Sequence, residues 1–108
     1  MKIVCKLFGV PEIFKNGEKV SFSYSKIDAF VYYILLNNTV SRSEVAGLLW
    51  PEDSERVAKK NLRNALYHAK KTIHKDFIIS TNNTILKLNE ELDIYLDVKD
   101  FEKDPIKN

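Results

Sequence analysis

Two periods of hydrophobicity divide this chain, and each stretch of constant period predicts one kind of element. Lys2 to Phe8 is strand-like, and Gly9 with Pro11 breaks it. Glu12-Ile13-Phe14-Lys15 predicts a second short strand. Asn16-Gly17 follows, and both residues tolerate positive φ. A two-residue hairpin turn is therefore expected, with Lys19-Val20-Ser21-Phe22 returning antiparallel. A sheet this small cannot stand alone and must cover something.

The period becomes helical after Ser25. Ile27, Phe30, Val31, Ile34 and Leu35 give a wide apolar face and predict a helix from Ser25 to Leu36, ended by Asn37-Asn38. A short link at Thr39-Val40 precedes Ser41, which with Glu44 three residues on forms a capping box. The second helix is about two turns long and is expected to bury Val45, Leu48 and Leu49. Trp50-Pro51 closes it, because a residue before proline is pushed out of the helical region.

Ser54 is the expected N-cap of the third and longest helix, from about Ser54 to Ile73. Its apolar positions Ala58, Leu62, Ala65, Leu66, Ala69 and Ile73 form one narrow stripe, and Leu62, Leu66 and Trp50 are assigned to the core. Phe77 to Thr81 and Thr84 to Leu88 predict a hairpin around Asn82-Asn83, and Leu92 to Asp97 adds a short extended segment.

Composition narrows the classes open to such a chain. At 108 residues, 44% of them apolar, it holds enough for one ordinary core. One domain is expected over residues 1–101, with 102–108 a linker or the opening of a truncated C-terminal domain. No stretch approaches the roughly 18 apolar residues of a spanning helix. The first residues lack a signal-peptide pattern, so no membrane association and a cytoplasmic location are expected. The single cysteine, Cys5, alternates with Ile3 and Leu7 and reads as a buried thiol; it excludes an intramolecular disulfide. His68 and His74 are six apart on a helix and do not share a face, and the three glycines form no phosphate loop. No catalytic residue, metal or cofactor is expected.

Charge changes the picture more than composition does. Residues 53–75 carry seven basic side chains against Asp53 and Glu55, a net of +5 in a chain whose total is +2. No acidic residue occurs between Arg56 and Lys75. A solvated face is the ordinary account of a lysine-rich helix, and acids first with lysines last also suits the macrodipole. Such a solvated face more often alternates Glu with Lys, however, and this one presents a single positive stripe to a polyanion.

The order of elements gives that stripe a use. Three strands, a capped short helix, a long basic helix and a hairpin fit an α+β winged helix-turn-helix, with an N-terminal antiparallel sheet, three helices and a C-terminal hairpin wing. The long helix would enter the major groove of double-stranded DNA. Arg63 suits a guanine edge, Asn64 an adenine edge, and Tyr67 and His68 bases or phosphates. Lys60 and Lys71 suit phosphates. Arg42 and the turn residues Thr81, Asn82 and Asn83 complete the expected DNA contacts.

Four stretches carry a family likeness: Lys6-Leu7-Phe8-Gly9, Ser41 to Pro51 with its Leu48-Leu49-Trp50-Pro51 end, Asn61-Leu62-Arg63-Asn64-Ala65-Leu66, and Asp97 to Phe101. In that order they resemble the OmpR/PhoB-type winged helix found at the N-terminus of SARP-family (BTAD-containing) bacterial transcriptional regulators. The resemblance implies a promoter-binding activator that docks on direct repeats as a tandem dimer. It also implies that the loop Pro51, Glu52 and Asp53 faces RNA polymerase, and that a helical-repeat activation domain follows in full-length relatives. The chain departs from the family where Tyr67-His68-Ala69-Lys70-Lys71 replaces an arginine-rich stretch, and where the expected wing is neutral. No arginine contact in the minor groove is therefore expected from the wing. The rival expectation is a winged helix for protein contacts, whose basic helix docks an acidic partner.

Overall fold

A computed structural model describes residues 2–7, 11–22 and 24–97. Its elements are β1 (Lys2–Lys6), β2 (Glu12–Lys15), β3 (Glu18–Val20), α1 (Ser25–Asn37), β4 (Thr39–Ser41), α2 (Arg42–Leu49), α3 (Glu55–Thr72), β5 (Ile78–Ser80), β6 (Ile85–Leu88) and β7 (Asp93–Leu96). The chain is α+β, with three helices and sheets that are mostly antiparallel. It divides into two units, one drawn from Met1–Ser21 with Glu90–Asn108, the other Phe22–Asn89. The family stretches that run through Phe8, Gly9 and residues 98–101, and the tail 102–108, lie outside the described residues.

The first unit is a four-stranded sheet in the order β3-β2-β1-β7. Asn16 at φ 52° and Gly17 at φ 87° make the turn between β2 and β3, the conformation for which Asn-Gly is suited. Cys5 lies opposite Ile13 on one side and Leu96 on the other, so a row of buried side chains crosses three strands on one face. Leu7, next in the alternation with Ile3 and Cys5, is only half-buried. Burial pushes the Cys5 thiol up to about 12, and the Asp97 carboxylate adds to that shift. The extended segment expected near residue 92 is thus a true strand, and it joins β1 in parallel.

The second unit holds all three helices. Ile27, Phe30, Val31, Ile34 and Leu35 of α1 are buried, as their spacing predicted. Asn38 ends α1 at φ 70°, a left-handed position that asparagine tolerates, and its N–H donates to the Ile34 carbonyl at 2.8 Å. The expected link at Thr39-Val40 is instead strand β4. It pairs antiparallel with β6, Val40 opposite Leu86, in the sheet β4-β6-β5. Ser41 then caps α2, its Oγ accepting from the Glu44 N–H at 3.4 Å.

Helix α2 corrects a second expectation. Its buried residues are Val45 and Ala46; Leu48 is 57% exposed and Leu49 half-buried. Where α2 packs against α3, α1 and β4, Val45 is the one expected core position that is fully covered. Helix α3 packs against both α1 and α2 through Ala58, Leu62, Ala65 and Ala69, with Ile73 buried at its C-cap. The alanines allow that close approach. Leu66 and Trp50, assigned to the core from sequence, are half-buried at its rim.

Candidate functional site

Helix α3 is built to hold its outer face rigid. Ser54 takes the N-cap, its Oγ accepting from the Val57 N–H at 3.3 Å, and Lys70 and Lys71 stand in the last turn, where the macrodipole favours cations. One side is locked into the helical core, so the other is presented to solvent along five turns. Lys60, Arg63, Asn64, Tyr67 and Lys71 are exposed there, and His68 is half-buried. Lys75 lies just past the helix end.

The electrostatics of this face are one-signed. Lys59 pairs with Glu55 at 2.9 Å, and that pairing holds the Glu55 carboxyl below its usual range. Among the described residues no other cation of α3 has a carboxylate within ion-pair distance. Tyr67, 60% exposed, carries the Lys71 Nζ 5.8 Å from its ring centroid and meets the His68 ring edge-on at 5.4 Å. Cation and imidazole brace the phenol on the exposed face.

Arg63 and Asn64 do not look into the same space. Neighbours on a helix point about 100° apart. Arg63 opens on a hollow lined by Arg42, Leu66, Tyr67, Lys70 and Lys71. Asn64 opens on another, lined by Tyr24, Lys26, Trp50, Asn61 and His68. Sequence reasoning placed both on one reading face. It also missed Tyr24 and Lys26, because the start of α1 brings them there and no spacing along the chain announces that, and it missed Asn61, which stands one turn before Asn64 on α3 itself. Lys26 Nζ donates to the Leu49 carbonyl, which fixes this ammonium at the C-terminal end of α2.

Of the remaining expected contacts, Arg42 lines the first hollow. Arg42, at the start of α2, is half-buried; its N–H donates to the Thr84 carbonyl at 2.8 Å and its Nη2 to Ser80 Oγ at 2.5 Å. Thr81, Asn82 and Asn83 are exposed at the tip between β5 and β6. The Asn82 Oδ1 is already engaged, accepting from the Thr84 N–H, the Thr84 hydroxyl and the Ile85 N–H at 2.8, 2.7 and 3.0 Å. Its role is to shape the turn. Pro51, Glu52 and Asp53 form an exposed loop between α2 and α3, steadied by Asn61 Nδ2 donating to Asp53 Oδ2 at 3.0 Å.

No group of three or more His, Cys, Asp or Glu among the described residues is placed to hold a metal ion. Among the described residues no helix is long and apolar enough to cross a membrane. No family model, curated protein or solved structure matches the chain.

Proposed function

We propose that the chain is a winged helix-turn-helix that binds double-stranded DNA with sequence preference, as the DNA-binding part of a bacterial transcriptional regulator. In this reading α2 and α3 are the helix-turn-helix, α3 enters the major groove, and the β5–β6 hairpin is the wing. The observation that carries it is the exposed face of α3. Unpaired cations stand there beside amide, imidazole and phenol groups, with no carboxylate from Arg56 to Lys75. Cations supply affinity for the phosphate backbone, and the polar neutral groups match base edges. Strand β4 supports the reading too, since it ties the hairpin to the start of α2, the helix that packs against α3.

By the resemblance described above, the DNA is promoter sequence in direct repeats bound by a tandem dimer. The exposed Pro51–Asp53 loop then faces RNA polymerase. Selecting duplexes from a random pool with the 108-residue chain tests the proposal. Enrichment of one sequence supports it. A pool that stays random, with binding to an acidic polypeptide instead, assigns the basic face to protein contacts; the apolar floor that Leu66 and Tyr67 give the first hollow suits that use.

A further inference from the structure

We infer that the two flanks of α3 do different work on a duplex, Arg63 gripping phosphates and Asn64 reading bases, an assignment that rests on the DNA reading above. The premise is the separation of adjacent residues into two hollows of contrasting chemistry. The Arg63 flank gathers Arg42, Lys70, Lys71 and Lys75 around the same groove, without a carboxylate partner for any of them among the described residues. Five cations in one hollow require dense negative charge opposite them. A phosphate wall supplies about one charge per 1.7 Å of duplex, whereas base edges are neutral. An Arg63 guanidinium inserted on a guanine would leave its four neighbours facing uncharged groups.

The Asn64 flank has the opposite character. Its single cation, Lys26, is held by the Leu49 carbonyl, and the rest of its polar lining is amide, imidazole, indole and phenol. Asn64 itself is exposed and accepts as well as donates, the combination that bonds an adenine edge at two points. His68, half-buried beside it and braced by Tyr67, adds a second neutral polar group on the same side. Sequence preference therefore resides on the Asn64 side and on the crest between the flanks, and backbone affinity on the Arg63 side.

Four proteins separate the roles: the wild-type chain and the Arg63→Ala, Arg63→Lys and Asn64→Ala variants. Each is titrated, across a range of salt, with the duplex enriched from a random pool and with a scrambled duplex. Arg63→Ala should weaken both duplexes by a similar factor, roughly tenfold, and make the slope of log affinity against log salt shallower by about 0.9, one phosphate contact. Arg63→Lys should restore slope and affinity, because a point charge replaces a phosphate grip but not a two-point guanine contact. Asn64→Ala should leave the slope unchanged and cut the ratio between duplexes roughly tenfold. A fall in that ratio with Arg63→Ala, unrescued by lysine, overturns the division while leaving the DNA reading intact. Absence of salt-dependent duplex binding by the wild-type chain overturns both.

Discussion

Arg42 at the first position of α2 and Ser80 at the end of β5 are joined by a 2.5 Å hydrogen bond from Nη2 to Oγ. The Arg42 N–H reaches the same hairpin at the Thr84 carbonyl. Two bonds thus fix the β5–β6 turn against the N-terminus of a helix, independently of any ligand. Arg42→Ala should cost about 1 kcal/mol, below the usual value for a charged hydrogen bond because the pair is partly solvated. Amide exchange in β5 and β6 should quicken, with Ser80→Ala giving the same change more weakly. Unaltered exchange in both variants would show that the hairpin needs no such tie.

Leu62 and Leu48 separate two kinds of leucine that look alike in sequence. Leu62 is 1% exposed among α1, α2 and α3, so Leu62→Ala should cost roughly 2–5 kcal/mol in urea denaturation. Leu48, on the free side of α2, should cost less than about 0.5 kcal/mol when truncated. Comparable losses from the two variants would mean that Leu48 is covered.

These residues also mark how far the sequence could be read. The long elements were legible because α1 and α3 repeat their apolar positions over several turns, and because Ser41, Trp50-Pro51, Ser54 and Asn16-Gly17 punctuate the chain with local chemistry. Strand β4 was hidden, since three residues carry no usable period and its partner β6 lies more than forty positions on. The parallel pairing of β1 with β7 is equally non-local. At the site, the cationic stripe was visible in the charges, but its division at Arg63 and Asn64 was not. Which hollow each residue meets depends on Arg42 on one side and on Tyr24, Lys26 and Trp50 on the other, and tertiary packing sets those neighbours.

Gly47 sits inside α2 with nothing within 4 Å of where a Cβ would stand. Glycine in a helix costs backbone entropy that alanine does not. Gly47→Ala should raise stability by about 0.5–1 kcal/mol and leave duplex binding unchanged. A loss of stability would reveal a constraint on α2 that its open surroundings do not show.

Cys5 makes stability depend on pH in one direction. Its thiol pKa stands at about 12 in the fold against 9.0 for an unperturbed group. The folded chain therefore holds this proton more tightly, so the contribution is complete below pH 9 and is lost as pH climbs towards 12. The stability advantage of wild type over Cys5→Ala should shrink across that window, and a thiol reagent should react slowly until the protein unfolds. An advantage that stays constant with pH would contradict burial of the thiol.

The most direct test of α3 as the DNA-binding element is an amide and side-chain NMR footprint of the 108-residue chain, titrated with its selected duplex. Binding through α3 requires the largest shifts at Lys60, Arg63, Asn64, Tyr67 and Lys71, with smaller ones at the Thr81–Asn83 tip. Shifts confined to the β3-β2-β1-β7 sheet, or none on α3 at saturation, would contradict it.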